Sequence, residues 1–434
     1  MMQKIGILLA VWFCSTGLFL APAFAAEPLP WANPWDVGMD YEYVNRAFSE
    51  LAKEIQSGAA PGAVGLVLKE GKIIARRAVG QAQTHLALQN NESHEITYVP
   101  YSGRMLEDTL FDLASLTKMI ATTTSILILV DQGQIDLDKT VASYIPAFAA
   151  RAKDKVTVRH LITHTSGLPS WFPFYQIYID REEVFRSLDE DFALETPPGA
   201  VRVYSDLGFI VLGRLVEVVS GKRLDRFAQE YIFGPLGMTH TGFLPSLPAR
   251  YLAAPTELDP GRDGFLKGIV HDENSRALSG VSGHAGLFST ATDLALFAQM
   301  LLNKGELHGR RILKEATVQA MLKSQLPQSA IDKGSAFLRN RKQLIGWWGM
   351  DDKITIGADG GLPSQTAFGH TGFTGTSFYV DPEHNAAAIL LSNAIHPKRE
   401  DANRSALRRA FYVNISKALV GSATVNVEPE YQAK

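Results

Sequence analysis

Residues 111–133 read FDLASLTKMIATTTSILILVDQG. The apolar run predicts a buried helix from about Ser115 to Asp131, which Gly133 can close. At its start stands Ser115-Leu116-Thr117-Lys118, and no other serine in the chain has a lysine three places on. A serine hydroxyl is a poor nucleophile until a neighbour takes its proton, and a lysine three residues further along a helix shares its face. Burial would disfavour the ammonium form and lower the lysine's pKa, as a general base requires. The free backbone N–H groups of a helix start could hold an oxyanion. The same four letters also suit an ordinary helix N-terminus with a solvated lysine, so the surroundings must decide.

Outward from this helix, helical spacing runs from Tyr41 to Ser57. AVGLVLKEGKIIARRAVG then predicts two strands, Ala63 to Leu68 and Ile73 to Val79, turning at Glu70-Gly71. Residues 81 to 108 are polar and read as loop. From Asp136 to about Arg262 the pattern changes to short helices broken by Pro and Gly. Beyond lie long loops, a helix near Ala291 to Asn303, strands at Thr376 to Val380 and Ala386 to Leu391, and a last helix around Ser405 to Leu419. Strand material at both ends and helices between predict an α/β body assembled from distant parts of the chain, with residues 136–262 a mainly helical insert.

The 434 residues are 46% hydrophobic and 20% charged, enough to bury a large core. A formal charge of -3 carries no basic excess, which argues against nucleic acid as a partner. The first residues, MMQKIGILLAVWFCSTGLFLAPAFAAEP, place Lys4 before an apolar run and Ala23-Phe24-Ala25 before Glu27. This is the pattern of a secretory leader over residues 1–25, with an uncleaved membrane anchor as the other reading. The single cysteine, Cys14, lies inside it. The chain after the leader therefore has no disulfide, cysteine nucleophile or thiolate metal site, and its chemistry rests on Ser, His, Lys, Tyr and carboxylates.

The tetrapeptide HTGF occurs twice, at His240 to Phe243 and His370 to Phe373. The first follows a helix and the loop Gly234-Pro235-Leu236-Gly237-Met238. The second is followed by Thr374-Gly375 and the strong strand pair.

The runs FDLASLTKMIATTTSILILVDQGQIDLDKTVASYIPAF, VTVRHLITHTSGLPS, PPGAVRVYSDLGFIVLGRLVEVVSGKRLDRFAQEYIFGPLGMTHTGF, GVSGHAGLFSTATDLALFAQML and FGHTGFTGTSFYVDPEHNAAAILLSN, taken in that order, resemble the serine β-lactamase-like family. That family holds class C β-lactamases, low-molecular-weight penicillin-binding proteins, D-alanyl-D-alanine carboxypeptidases and esterases. The resemblance covers most of residues 45 to 420 and is nearest in flavour to penicillin-binding protein 4B. It implies a mixed antiparallel sheet flanked by helices. It further implies an exported, periplasmic serine hydrolase working through a Ser115 acyl-enzyme as a D-alanyl-D-alanine carboxypeptidase on cell-wall peptides, which also meets β-lactams and needs no cofactor or metal. A β-lactamase or small-ester hydrolase on the same site, and a weakly or non-catalytic penicillin- or muropeptide-binding protein, are the alternatives. Any membrane association would come through the N-terminal segment alone.

Position by position, the resemblance makes Ser115 the acylated serine and Lys118 its partner base. The second motif, Tyr-x-Asn, is ambiguous on letters. Tyr43-Val44-Asn45 and Tyr412-Val413-Asn414 fit it better than Tyr204-Ser205-Asp206, and Tyr178-Ile179-Asp180 fits as well. Its place after Pro197-Pro198-Gly199, before a helix and between the other two motifs, selects Tyr204. Asp206 stands where the family usually has Asn, and a carboxylate near Lys118 would favour the ammonium. The third motif, Lys/His-Thr/Ser-Gly on an edge strand, selects His370-Thr371-Gly372 and leaves the first HTGF a loop coincidence. The N–H groups of Phe373 and Ser115 then form the oxyanion pair. His160 and His164 have the spacing of metalloprotease helices but no Glu follows the first, so they read as structural. His271-Asp272-Glu273 with His284 reads as wall or substrate contact rather than a metal site.

Overall fold

The computed structural model describes residues 28–427, except 90–95, 179, 260–263, 327–340, 354 and 358. The leader over 1–25 and Cys14 lie outside the described residues. Eight strands form the main sheet: β1 (Gly62–Lys69), β2 (Lys72–Gln89), β3 (Ile96–Arg104), β4 (Lys342–Gln343), β5 (Trp348–Gly349), β6 (Phe368–Thr371), β7 (Ser377–Asp381) and β8 (Ala386–Ser392). Their order is β3-β2-β1-β8-β7-β6-β5-β4, with every neighbouring pair antiparallel. The two ends of the chain meet where Ala63 of β1 faces Ser392 of β8.

Alternation of side chains along a strand sorts these residues between two cores. Val64, Leu66, Leu68, Ile389 and Leu391 face the core shared with the serine-bearing helix. Ala63, Val67, Ala388 and Leu390 face the other, covered by α1 (Tyr41–Gln56) and a C-terminal helix, Arg404–Val420, which meet edge to face through Phe48 and Phe411. The Asp40 side chain caps α1 by accepting from the Glu42 and Tyr43 amides.

The serine helix is continuous but changes winding. It opens as a 3-10 turn at Ala114–Leu116, widens to a π turn at Lys118–Thr123 and becomes α2 at Thr124–Asp131. Gly133, at φ 72° in the left-handed region with its N–H on Val130 O, closes it. This stretch has the length and composition to cross a membrane, but most of it is buried inside the protein, so it is a core helix. Its partner in the core is α3 (Asp206–Ser220), while α4 (Ala291–Leu302) packs on β1 and β8 in the same core, and the C-terminal helix becomes α5.

Residues 81 to 108 correct the loop expectation. β2 runs on to Gln89 and pairs with β3, with register shifts near Gln83. The described side chains at 81–88 and 96–104 are all half-buried or exposed, so neither face is dry and the apolar alternation that marks a strand is diluted.

Candidate active site

Ser115 follows a strained corner. Ala114 has φ 47°, which non-glycine residues rarely adopt, and its N–H is held at 2.9 Å by Asp112 Oδ1. The other oxygen of Asp112 accepts from the His271 amide at 2.7 Å. Burial pushes the Asp112 carboxyl upward, against the pull of those two N–H groups. In the 3-10 turn that follows, residues i and i+3 eclipse, which sets Lys118 Nζ 3.1 Å from Ser115 Oγ.

Lys118 is fully buried. Its ammonium donates to Ser115 Oγ and, at 3.0 Å, to His284 O, and it stands 2.7 Å from Asp206 Oδ1. It also lies over the Tyr204 ring, 4.9 Å from the centroid. Burial alone would lower its pKa, but Asp206, then Tyr204, more than offset that, and the group is held well above the usual lysine range. This corrects the expectation of a depressed lysine: a carboxylate in contact outweighs desolvation.

Asp206 opens α3, where Ser205 is the cap and accepts from the Gly208 amide. The same cap puts Tyr204 beside Ser115, its hydroxyl in hydrogen-bonding relation to both Lys118 and Ser115. Burial, opposed by Lys118, raises the phenol's pKa. Two imidazoles flank the Tyr204 ring, His164 at 4.6 Å and His370 at 5.9 Å between centroids, with Trp348 3.7 Å from His370. His164 Nδ1 accepts from the Ser205 amide and His370 Nδ1 approaches Thr371 O at 2.7 Å, while both Nε2 atoms lack a hydrogen-bond partner among the described residues. Burial first, then the Lys118 charge, holds the His164 pKa far below normal; burial does the same to His370 despite its Thr371 bond. Both rings are neutral at physiological pH.

The second HTGF copy comes to the serine. His370 and Thr371 end β6, and Gly372 lies so close to the corner that a Cβ there would meet Leu113 O at 2.6 Å. Thr374 and Thr376 hydroxyls donate to Asp112 O and Leu113 O, tying the turn after β6 to the segment before Ser115. β6 is not a sheet edge throughout: Phe368 and Gly369 pair with β5, while His370 and Thr371 have no strand partner on that side among the described residues. The first copy sits elsewhere. Gly242–Phe243 is a short strand beside Leu287–Ser289, and the His240 N–H and Thr241 hydroxyl both donate to Asp293 at 2.8 Å. It is a structural anchor to α4 rather than a bare loop.

The competing tyrosines lie away from Lys118: Tyr412 is buried against Ser377, Tyr178 bonds Ser187, and Tyr43 stacks with Arg46. His160 accepts from the Thr157 amide, completing a helix cap. Among the described residues no His, Cys, Asp or Glu group could hold a metal. His271 pairs with Glu257 at 2.6 Å, and Arg399 joins Glu257 to Glu273. His284 bonds Asp272 at 2.8 Å and Ser282 at 2.7 Å. Asp112, His164, Trp348 and Arg408 are additions of the tertiary structure. Of these only His164, in RHLITHTSGL, is singled out in the sequence, where it reads as structural.

The sequence profile described as Beta-lactamase matches residues 44–412. An N-acetylmuramyl-L-alanine amidase of Bacillus subtilis is 34% identical over 80% of this chain and 80% of its own. A protein of Salmonella schwarzengrund with the provisional name D-alanyl-D-alanine carboxypeptidase is 31% identical over 87% of this chain and 89% of its own. Among solved structures, a penicillin-binding protein homologue from Caulobacter crescentus superposes with a TM-score of 0.64 at 21% identity, covering 87% of this chain and 99% of that one. With a serine at a strained corner, a buried lysine and a threonine-glycine strand end meeting at one point, and with this match over most of its length, the chain belongs to the β-lactamase family.

Proposed function

We propose that the protein is an exported serine hydrolase that cleaves an amide bond of cell-wall peptides through an acyl-enzyme on Ser115, as a D-alanyl-D-alanine carboxypeptidase does. The observation that carries this is Lys118 Nζ, buried and within 3.1 Å of both the Ser115 hydroxyl and the Asp206 carboxylate. An ammonium cannot accept a proton until it has given one up. Asp206 supplies the outlet: as Ser115 Oγ attacks the substrate carbonyl, Lys118 takes the hydroxyl proton and passes one of its own to Asp206. The proton then returns through Lys118 and Tyr204 to the leaving amine as the C–N bond breaks. The N–H groups of Ser115 and Phe373 receive the oxyanion, and the unpaired side of His370 and Thr371 aligns the peptide by β-type pairing. Water then cleaves the ester. β-Lactams enter as substrate mimics, and the leader over 1–25 would deliver the protein to the periplasm.

A second reading is favoured by one observation. Recognition of a terminal carboxylate next to the scissile bond calls for a cation, and His370 is buried and held neutral. Cleavage of the muramyl–L-alanine amide needs no carboxylate there, and a relative at 34% identity is named for that activity. Intact-mass measurement with a penicillin tests the shared site: an adduct of the mature protein that is absent in Ser115→Ala is expected, and no adduct with the penicillin also intact would sink β-lactam recognition. Incubation with a muropeptide ending in D-Ala-D-Ala separates the readings, since release of D-alanine supports the first and release of the whole peptide from the sugar supports the second.

A further inference from the structure

Arg408, on α5, is buried, and among the described residues the nearest carboxylate to its guanidinium is Asp359 at 4.0 Å. Burying a cation with so distant a counter-charge is unfavourable, and an apolar side chain would pack there without the desolvation penalty. What the guanidinium touches is backbone. Nη2 donates to Gly372 O at 2.8 Å and to Thr376 O at 3.1 Å, the two ends of the turn that follows β6. Arg404, one helical turn earlier, donates to Phe373 O at 3.1 Å and lies over the Phe373 ring.

The Gly372 carbonyl and the Phe373 N–H belong to one planar trans peptide, so they point in opposite directions and fixing one fixes the other. We propose that Arg408 is a positioning residue for the oxyanion site: by gripping Gly372 O from the α5 side, it aims the Phe373 N–H toward the carbonyl attacked by Ser115. A cation on the oxygen also draws electron density from the nitrogen, which makes that N–H a stronger donor. The turn has little other freedom, because Thr374 and Thr376 bolt it to Asp112 O and Leu113 O just before the nucleophile. Arg408 therefore acts on the donor's direction and strength without touching substrate.

This rests on the assignment of the Phe373 N–H as an oxyanion donor. The test compares wild type, Arg408→Gln and Arg408→Lys in the full chain, using p-nitrophenyl butyrate turnover, phenylboronic acid inhibition and the amide resonance of Phe373 in 15N-phenylalanine-labelled protein. For Arg408→Gln the expected result is a fall in kcat of about 10- to 100-fold, a parallel loss of boronate affinity, KM within about twofold of wild type and a shifted Phe373 amide proton. Arg408→Lys keeps the charge and should recover part of each. An effect confined to KM, or a lower Tm with kcat and boronate affinity unchanged, would overturn the proposal. Should Arg408→Gln fail to fold, the same comparison is read on Arg408→Lys. A wild type that neither turns over the ester nor binds the boronate would overturn the Ser115 assignment instead. In that event an unmoved Phe373 resonance in Arg408→Gln still overturns the role of Arg408, and a moved one supports it.

Discussion

Lys118 Nζ and Asp206 Oδ1 are 2.7 Å apart at the base of the site, with the lysine wholly buried and the aspartate partly open. The contact holds Lys118 as an ammonium far above neutral pH.

Asp206→Asn removes the largest influence opposing burial, so the Lys118 pKa should fall. Wild type should show no Lys118 limb in its pH–rate profile below about pH 10, given the raised pKa. The variant should gain one, acylation rising with pH as neutral lysine becomes its own base. A profile identical to wild type would refute the relay. The pair also bears on stability. A lysine raised in the folded state stabilises the fold below its unfolded value of 10.5 and loses that contribution as pH climbs through the folded value.

His164 and His370 are buried, neutral and depressed in pKa, so the unfolded chain takes up protons that the folded chain refuses. Their sign is the reverse of the lysine's: stability is intact above the unfolded value of 6.5 and declines below it. Each should remove about 1.4 kcal/mol per pH unit once the unfolded form is protonated. Unfolding followed between pH 8 and pH 5 measures this, and His164→Gln should flatten the acid side. An acid side equally steep in the variant would show that His164 is not the group involved.

Gly372→Ala places a Cβ 2.6 Å from the Leu113 carbonyl and 2.1 Å from Thr376 Oγ1. The hydroxyl can rotate away, but the carbonyl belongs to the corner that carries Ser115. Overpacking of this kind costs about 1–3 kcal/mol. The strand end should move off the nucleophile, with acylation falling more than tenfold, because displacement of an oxyanion donor is felt directly in rate. Wild-type acylation together with a wild-type melting curve would count against this packing.

Thr241→Val separates the two HTGF copies. Asp293 is raised by burial and keeps its place by accepting from Thr241 and the His240 N–H. Losing the hydroxyl should destabilise by about 1–3 kcal/mol in denaturant titration and leave kcat and KM unchanged. A selective loss of turnover at unchanged stability would make the first copy functional after all.

The sequence by itself determined the frame and marked Ser115 and Lys118 as the candidate pair within it. Ser115-x-x-Lys118 is unique in the chain, and the apolar runs of β1, β7, β8 and the serine helix are buried on so many sides that their patterns are unambiguous. Order along the chain also pointed to Tyr204 and the second HTGF as candidates, and the cap at Ser205 and the end of β6 bring both close to the Ser115 segment. The pairing of β2 with β3 escaped notice because half-solvated faces leave no period to read. Only the tertiary structure decided the protonation state of Lys118, the neutrality of His164 and His370, and the grip of Arg408 on Gly372. Those properties depend on distances of a few ångströms between residues far apart in sequence, and electrostatic energy in a desolvated site changes steeply over that range while no local pattern records it.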